Sequence, residues 1–468
     1  MQEDDAPARD LRLVEGVGRS ARRCVLVALG ILGLAPGCDR DPGEARGGAP
    51  AQARSAGSAA PSPAPDDARA QGDAARGKDL VRRFECSRCH FLPEDVGIAE
   101  RDRSCVGCHR WILDGAPSER GVLDPEAVAG WQQRFRFMRH LPSLARGYYR
   151  RAWLERFLVE PTDLRPNLPA TMPRLAVTKE QARDIAAYLG QEAPAPDGGV
   201  AGGGGESALA GANLERGLAL LKEKGCSTCH VMTGVSAPEL GSAARSVRAL
   251  KDAAPLVNLW SGSDLAAVIA LAPDLRHARE RFDVPTLLTW ITDPDAIKRV
   301  RPQMPKTPVS AEEARDIAAY LVKAELSPPE ARAIPARLPP VNRDVRYDEV
   351  AEKVLQRTCR HCHAEPDDAL GEGGPGNTGG FGFAPRGLHL AEFEGIAAGS
   401  LDDHGERRSV FSKAADGTPL LVRVLLARQA EEAGRPDPEV RGMPLGMPSL
   451  TPEEISLVEA WVAQGHPR

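Results

Sequence analysis

The chain has 468 residues, room for about three domains. Its net charge is −5, charged residues make up 27 %, and no basic run reaches five residues, so no nucleic-acid-binding surface is expected. Aromatic residues are only 4 %, which leaves any core short of flat apolar surface.

From the N-terminus, Arg19, Arg22 and Arg23 precede an apolar run, Cys24 to Ala35. Its twelve residues are too few to span a bilayer as a helix but suit the h-region of a signal peptide. The 18 residues before Arg19 are long and acidic for an n-region. "LAPGC" then ends at Cys38 and resembles the lipobox of bacterial lipoproteins, with Ala35 standing where Leu is usual. That resemblance implies cleavage and lipidation at Cys38, with an ordinary cleaved signal as the alternative. Residues 1–38 thus read as a signal peptide. Residues 39–75, rich in Ala, Pro, Gly and Ser with no apolar period, read as a disordered tether to a membrane surface.

The next stretch, 86–109, is CSRCHFLPEDVGIAERDRSCVGCH. Taken as two Cys-x-x-Cys pairs with 15 residues between them, it falls within the spacing of a zinc ribbon. Taken with the residue after each pair, it is Cys86-x-x-Cys89-His90 and Cys105-x-x-Cys108-His109, the attachment signature of c-type haem. The same pentapeptide returns as Cys226-x-x-Cys229-His230 and Cys359-x-x-Cys362-His363, each without a second cysteine pair nearby. Eight of the ten cysteines are used by these four copies, so haem accounts for all of them and zinc stays open only for 86–109. The spacing suits the chemistry. Two thiols three residues apart add to the two vinyl groups of one haem, and the adjoining His is held beneath the iron. Four buried porphyrins would also supply the apolar surface the composition lacks.

A Gly-rich stretch, 192–212, and a Pro-rich one, 326–344, cut the remainder into linkers and blocks. The blocks are 76–191 with two motifs, and 213–325 and 345–468 with one each. An internal repeat agrees with the cuts: "RDIAAYL" stands at both 183–189 and 315–321, and the third block closes with "TPEEISLVEAWV" at 451–462. Thr178-x-x-Gln181, Ser310-x-x-Glu313 and Thr451-x-x-Glu454 read as capping boxes opening amphipathic helices, with Pro452 at a first helical position. A leading helix precedes the first cysteine of each block, with Leu80 and Phe84, Leu218 and Leu221, and Val350 and Val354 as its apolar stripe. No period-two strand is evident, so the expected class is all-α.

Helix, haem motif, Met-Pro and closing helix is the plan of class I cytochromes c, which residues 76–465 resemble. The motifs carrying the resemblance are the four Cys-x-x-Cys-His copies and "TMP" at 171–173, "QMP" at 303–305 and "GMP" at 442–444. It implies three cytochrome c-like helical haem domains and four covalently bound haem c groups, with His90, His109, His230 and His363 as proximal iron ligands. It implies further that a Met before Pro is the sixth ligand. Met172 and Met304 each stand six residues before their N-cap, and the third block offers Met443 or Met447, with "MPLG" favouring Met443. A thioether there stabilises Fe(II) and raises the potential relative to a second imidazole. The plain alternative for each is a gap-filling methionine. One haem of the first block has no Met-Pro; His140 is its candidate ligand, Met138 stands second, and otherwise its iron is open. His277 and His361 read as bystanders, and the basic run at 146–157 as a solvated helix face.

The expected function is single-electron relay at the periplasmic face of a bacterial membrane. The partners would be other redox proteins there: a quinol-oxidising complex, an oxidase or other cytochromes. The alternative is a haem-dependent oxidoreductase resembling dihaem peroxidases, built on an open iron in the first block. Arg22-Arg23 would suit twin-arginine export, but that route carries folded proteins, whereas haem c is attached after crossing.

Overall fold

The computed structural model describes residues 72–90, 92, 104–119, 124–135, 148–162, 164–166, 172–190, 205–236, 269, 271–297, 304–329, 332–365 and 374–468. Cys38, Met138, His140 and the signal segment lie outside the described residues, as does the tether before residue 72. Helices carry the fold, as the all-α reading expects.

In the first block, α1 (Ala74–Arg83) begins where the Asp73 carboxylate accepts from the N–H groups of Ala75 and Arg76, at 2.8 and 3.1 Å. Its buried stripe is Gly77 and Val81, continued by Phe84. The second motif opens α2 (Cys105–Leu113), and a helical turn at Ala116–Glu119 leads to α3 (Pro125–Phe135). Then come α4 (Arg151–Val159) and α5 (Lys179–Leu189), the latter opened by the Thr178/Gln181 capping box. The first core joins Val81 and Phe84 to Trp153, Leu154, Ile185, Tyr188 and Leu189.

In the second block, α6 (Leu214–Glu223) pairs with α8 (Ala311–Lys323), and α7 (Val284–Thr292) packs on α8. The repeated heptapeptide makes the same joint twice. A Cβ on Gly77 would lie 2.0 Å from the Asp184 carbonyl oxygen and 2.9 Å from Tyr188 Cβ; on Gly217 it would lie 2.2 Å from that of Asp316 and 3.0 Å from Tyr320 Cβ. Only glycine admits so close a crossing. Each buried aspartate then ties the joint to the start of the leading helix. Asp184 accepts from the Asp73 N–H at 2.7 Å and from Arg76 Nε at 2.9 Å. Asp316 accepts from the Asn213 N–H at 2.8 Å and pairs with Arg216 at 3.4 Å.

The third block departs from this pattern. Its leading element is a helical turn, α9 (Tyr347–Val350), running into a π-helix over Ala351–Cys359. Nine residues before the first cysteine, where the other blocks have Gly77 and Gly217, stands Val350. The closing helix α11 (Pro452–Ala463) places the fully buried Trp461 ten residues after its N-cap, the position of Tyr188 and Tyr320 in the other blocks. An additional helix, α10 (Leu420–Glu432), and a two-residue hairpin, β1 (Ser400–Leu401) with β2 (Arg407–Arg408), complete the block.

Residues 63–468 form one compact unit, with the first block touching both others. Toward the second, the Arg150 N–H donates to the Arg281 carbonyl at 2.8 Å and that of Asp274 to Leu164 at 2.9 Å. Toward the third, the Phe381 N–H donates to Glu85 Oε2 at 2.8 Å, and Phe381 and Phe383 enter the first core. The linkers are partly absorbed. Leu209, inside the Gly-rich stretch, is 2 % exposed in the second core, and Ser456 Oγ donates to the Pro339 carbonyl at 2.7 Å. Among the described residues, no helix is long and apolar enough to cross a membrane.

Candidate functional site

Three of the four cysteine motifs are the same turn. The N–H of His90 donates to the Cys86 carbonyl at 2.9 Å, that of His230 to Cys226 at 3.0 Å and that of His363 to Cys359 at 3.0 Å. Before two of them a left-handed residue swings the chain out of the leading helix: Glu85 (φ 49°) after α1 and Gly225 (φ 78°) after α6. The third turn follows the π-helix without that break, the residues before it staying helical. The motif at 105–109 differs, since it opens α2 instead of following a helix, and the Cys108 N–H donates to the Ser104 carbonyl at 3.0 Å.

No disulfide joins the eight motif cysteines. Burial, with a contribution from Cys89, pushes the Cys86 thiol up to about 12. Burial pushes Cys226 and Cys229 up to about 11. Zinc binds thiolates gathered at one point. Among the described residues, which include all four thiols of 86–109, no three His, Cys, Asp or Glu side chains stand together as a metal-ion site. The convergence that a zinc ribbon needs is therefore not formed.

The histidines are the best-defined part of the site. His230 is half-buried, and its Nδ1 lies 2.8 Å from the Pro273 carbonyl oxygen. That contact suits the tautomer with the proton on Nδ1, which leaves the Nε2 lone pair for a metal. Burial lowers its pKa, so the ring is neutral. Burial also pushes His363 down to about 4. Its ring is held against Gly376, where a Cβ would lie 2.3 Å from Cε1; the Gly376 N–H in turn donates to the Cys362 carbonyl at 2.6 Å. His90 is half-buried, and His109 lies on α2.

Met172 and Met304 are half-buried ahead of the capping boxes of α5 and α8. The structure separates Met443 from Met447. The N–H of Met443 donates to the Val424 carbonyl at 2.8 Å, whereas Met447 packs with Cys108, Trp111 and Trp131 around Ile112 and Leu113. Met232, fully buried in the second core, had no signal in the sequence beyond standing two residues after His230. In the described part of the basic run, 148–157, Arg150, Arg151 and Arg156 are exposed, but the aromatic side meets the second block. Arg156 pairs with Glu280 at 2.5 Å, Arg150 donates to the Arg279 carbonyl at 3.1 Å, and Tyr149 stacks on Phe282 with centroids 5.6 Å apart. The second block docks on the Tyr149 and Trp153 side, while Arg150 and Arg156 stay exposed at its margin. Nor is His361 isolated, since its ring centroid lies 5.1 Å from that of Trp131.

No family model, curated protein or solved structure matches this chain.

Proposed function

We propose that this chain is an exported tetrahaem c-type cytochrome, tethered to a membrane through Cys38, that relays single electrons between redox proteins. The observation that carries the proposal is the fourfold Cys-x-x-Cys-His motif, three copies of which share one turn geometry. Bound haem supplies a one-electron Fe(III)/Fe(II) couple whose potential axial ligands and burial set.

The chain's own groups have separate tasks. The cysteine pairs at 86/89, 105/108, 226/229 and 359/362 anchor the four groups, and His90, His109, His230 and His363 ligate from the proximal side. Met172, Met304 and Met443 are the distal ligands of three irons, and His140 is the candidate for the fourth. Pro273 fixes the orientation of His230, and Gly376 that of His363. Arg281 supports the fit in the second block. It is 9 % exposed, packed over Tyr149, Trp153 and Phe282, and its Nε is buried without a hydrogen-bond partner among the described residues. A buried unpaired donor close to His230 suits a porphyrin carboxylate.

The test is haem content per chain from the alkaline pyridine spectrum, with four expected. Two would return zinc to 86–109, and none would remove the proposal.

A further inference from the structure

The two motifs of the first block do not share a core. Cys86 packs with the first core, around Val81, Phe84 and Ile185. Cys108 belongs to a separate cluster around Ile112 and Leu113, which Trp131 joins from α3. Gln132 holds α3 on α2, its Nε2 donating to the carbonyls of Ile112 at 3.1 Å and Leu113 at 3.2 Å. Among the described residues, the third block also contacts this cluster. Met447 packs into it, and its carbonyl accepts from Arg428 Nε at 2.9 Å. His361, the residue between Arg360 and Cys362 inside the fourth motif, sets its ring against Trp131, centroids 5.1 Å apart and planes inclined by 57°.

Trp131 therefore touches the cluster of the Cys105–Cys108 pair on one side and the interior of the Cys359–Cys362 pair on the other. We propose that the haems of these two motifs form an electron-exchange pair across the Trp131–His361 contact. The third block, and not the first motif 15 residues upstream, is then the immediate redox partner of the second haem. One electron crosses per event: the iron at one end goes from Fe(II) to Fe(III) as the iron at the other goes from Fe(III) to Fe(II), with no proton or further reactant. A packed apolar bridge also keeps the local dielectric low, so the charge on one iron is felt at the other. This rests on the haem reading above.

The experiment uses the full holoprotein. Four haems per chain by the pyridine spectrum is the entry condition, and a lower count would be a failure of the haem reading, separate from that of the pair. Cys105→Ala/Cys108→Ala identifies the second haem by the signal it deletes in a potentiometric titration. Removing the fourth haem with Cys359→Ala/Cys362→Ala should shift the second haem's midpoint, and removing the third with Cys226→Ala/Cys229→Ala should leave it in place. A midpoint that follows loss of the first haem (Cys86→Ala/Cys89→Ala), or of neither, overturns the pair. Trp131→Leu keeps all four haems and decides the matter should a deletion variant fail to fold. Exchange between the second and fourth haems, followed after a flash of reductant, should slow several-fold, and an unchanged rate overturns the pair.

Discussion

At the scale of single residues, the proposed haem sites depend on which histidine atom is left for iron. His230 offers Nε2 because Pro273 takes Nδ1, a relation no sequence pattern shows across 43 residues. The opposite face is assigned to methionines, and that assignment has a direct optical test. Met304→Ala should remove one Met-to-iron charge-transfer band from the oxidised spectrum, and an unaltered spectrum would strike Met304 from the ligands. Asp184 illustrates a structural residue. Burial pushes its carboxyl up, but hydrogen bonds from Arg76 and the Asp73 N–H outweigh this and hold it below the usual range. A carboxyl lowered by folding stabilises the fold above about pH 4, and that contribution disappears as pH falls through the folded value. Asp184→Asn should cost about 2 kcal/mol at neutral pH, by chemical denaturation, and flatten the acid limb of the stability curve. Wild-type and variant curves that stayed parallel down to pH 3 or so would show that Asp184 contributes nothing to that limb.

At the scale of elements, α1 with α5 and α6 with α8 are the same joint built twice, and glycine is its condition. Gly77→Ala should destabilise by about 1–3 kcal/mol or more, because the new methyl meets backbone and not a movable side chain. Gly130, exposed within α3 with nothing within 4 Å of a built Cβ, is the control: Gly130→Ala should stabilise by about 0.5–1 kcal/mol. Thermal melts of the two variants moving in the same direction would refute the crossing argument. The helices of these joints were legible in the sequence, but the glycine crossing and its buried aspartates were not. The three capping boxes at Thr178, Ser310 and Thr451 form with both reciprocal hydrogen bonds, because they depend on residues three apart and on nothing distant. What could not be read has equally physical reasons. α10 buries Leu421, Val422, Leu425, Arg428 and Gln429 on several sides, so it has no polar face to give it a period. The hairpin strands are two residues long, too short for any alternation. The π-helix follows Val350, which stands where the other blocks have glycine, and no sequence pattern marks it.

At the scale of the whole molecule, the blocks are docked and not beads on a string. Composition carries no record of which faces meet, and Leu209, inside the Gly-rich stretch, lies in the second core. The run at 146–157 looked solvent-facing because arginines flank its aromatics; in the fold, Tyr149 and Trp153 turn toward Arg281 and Phe282 of the second block. Under the proposed haem reading, docking on both sides of the first block would let electrons pass between blocks without domain motion. It also separates relay from catalysis. If all four irons carry two axial ligands, the reduced protein should form no stoichiometric carbon monoxide adduct, and one full equivalent bound per chain would favour a haem enzyme with an open site. The most direct test of the account remains whether porphyrin is bonded to the polypeptide. Intact mass of the denatured, acid-extracted protein should exceed that of the processed chain by four haem groups, and a mass equal to the bare polypeptide would contradict the account.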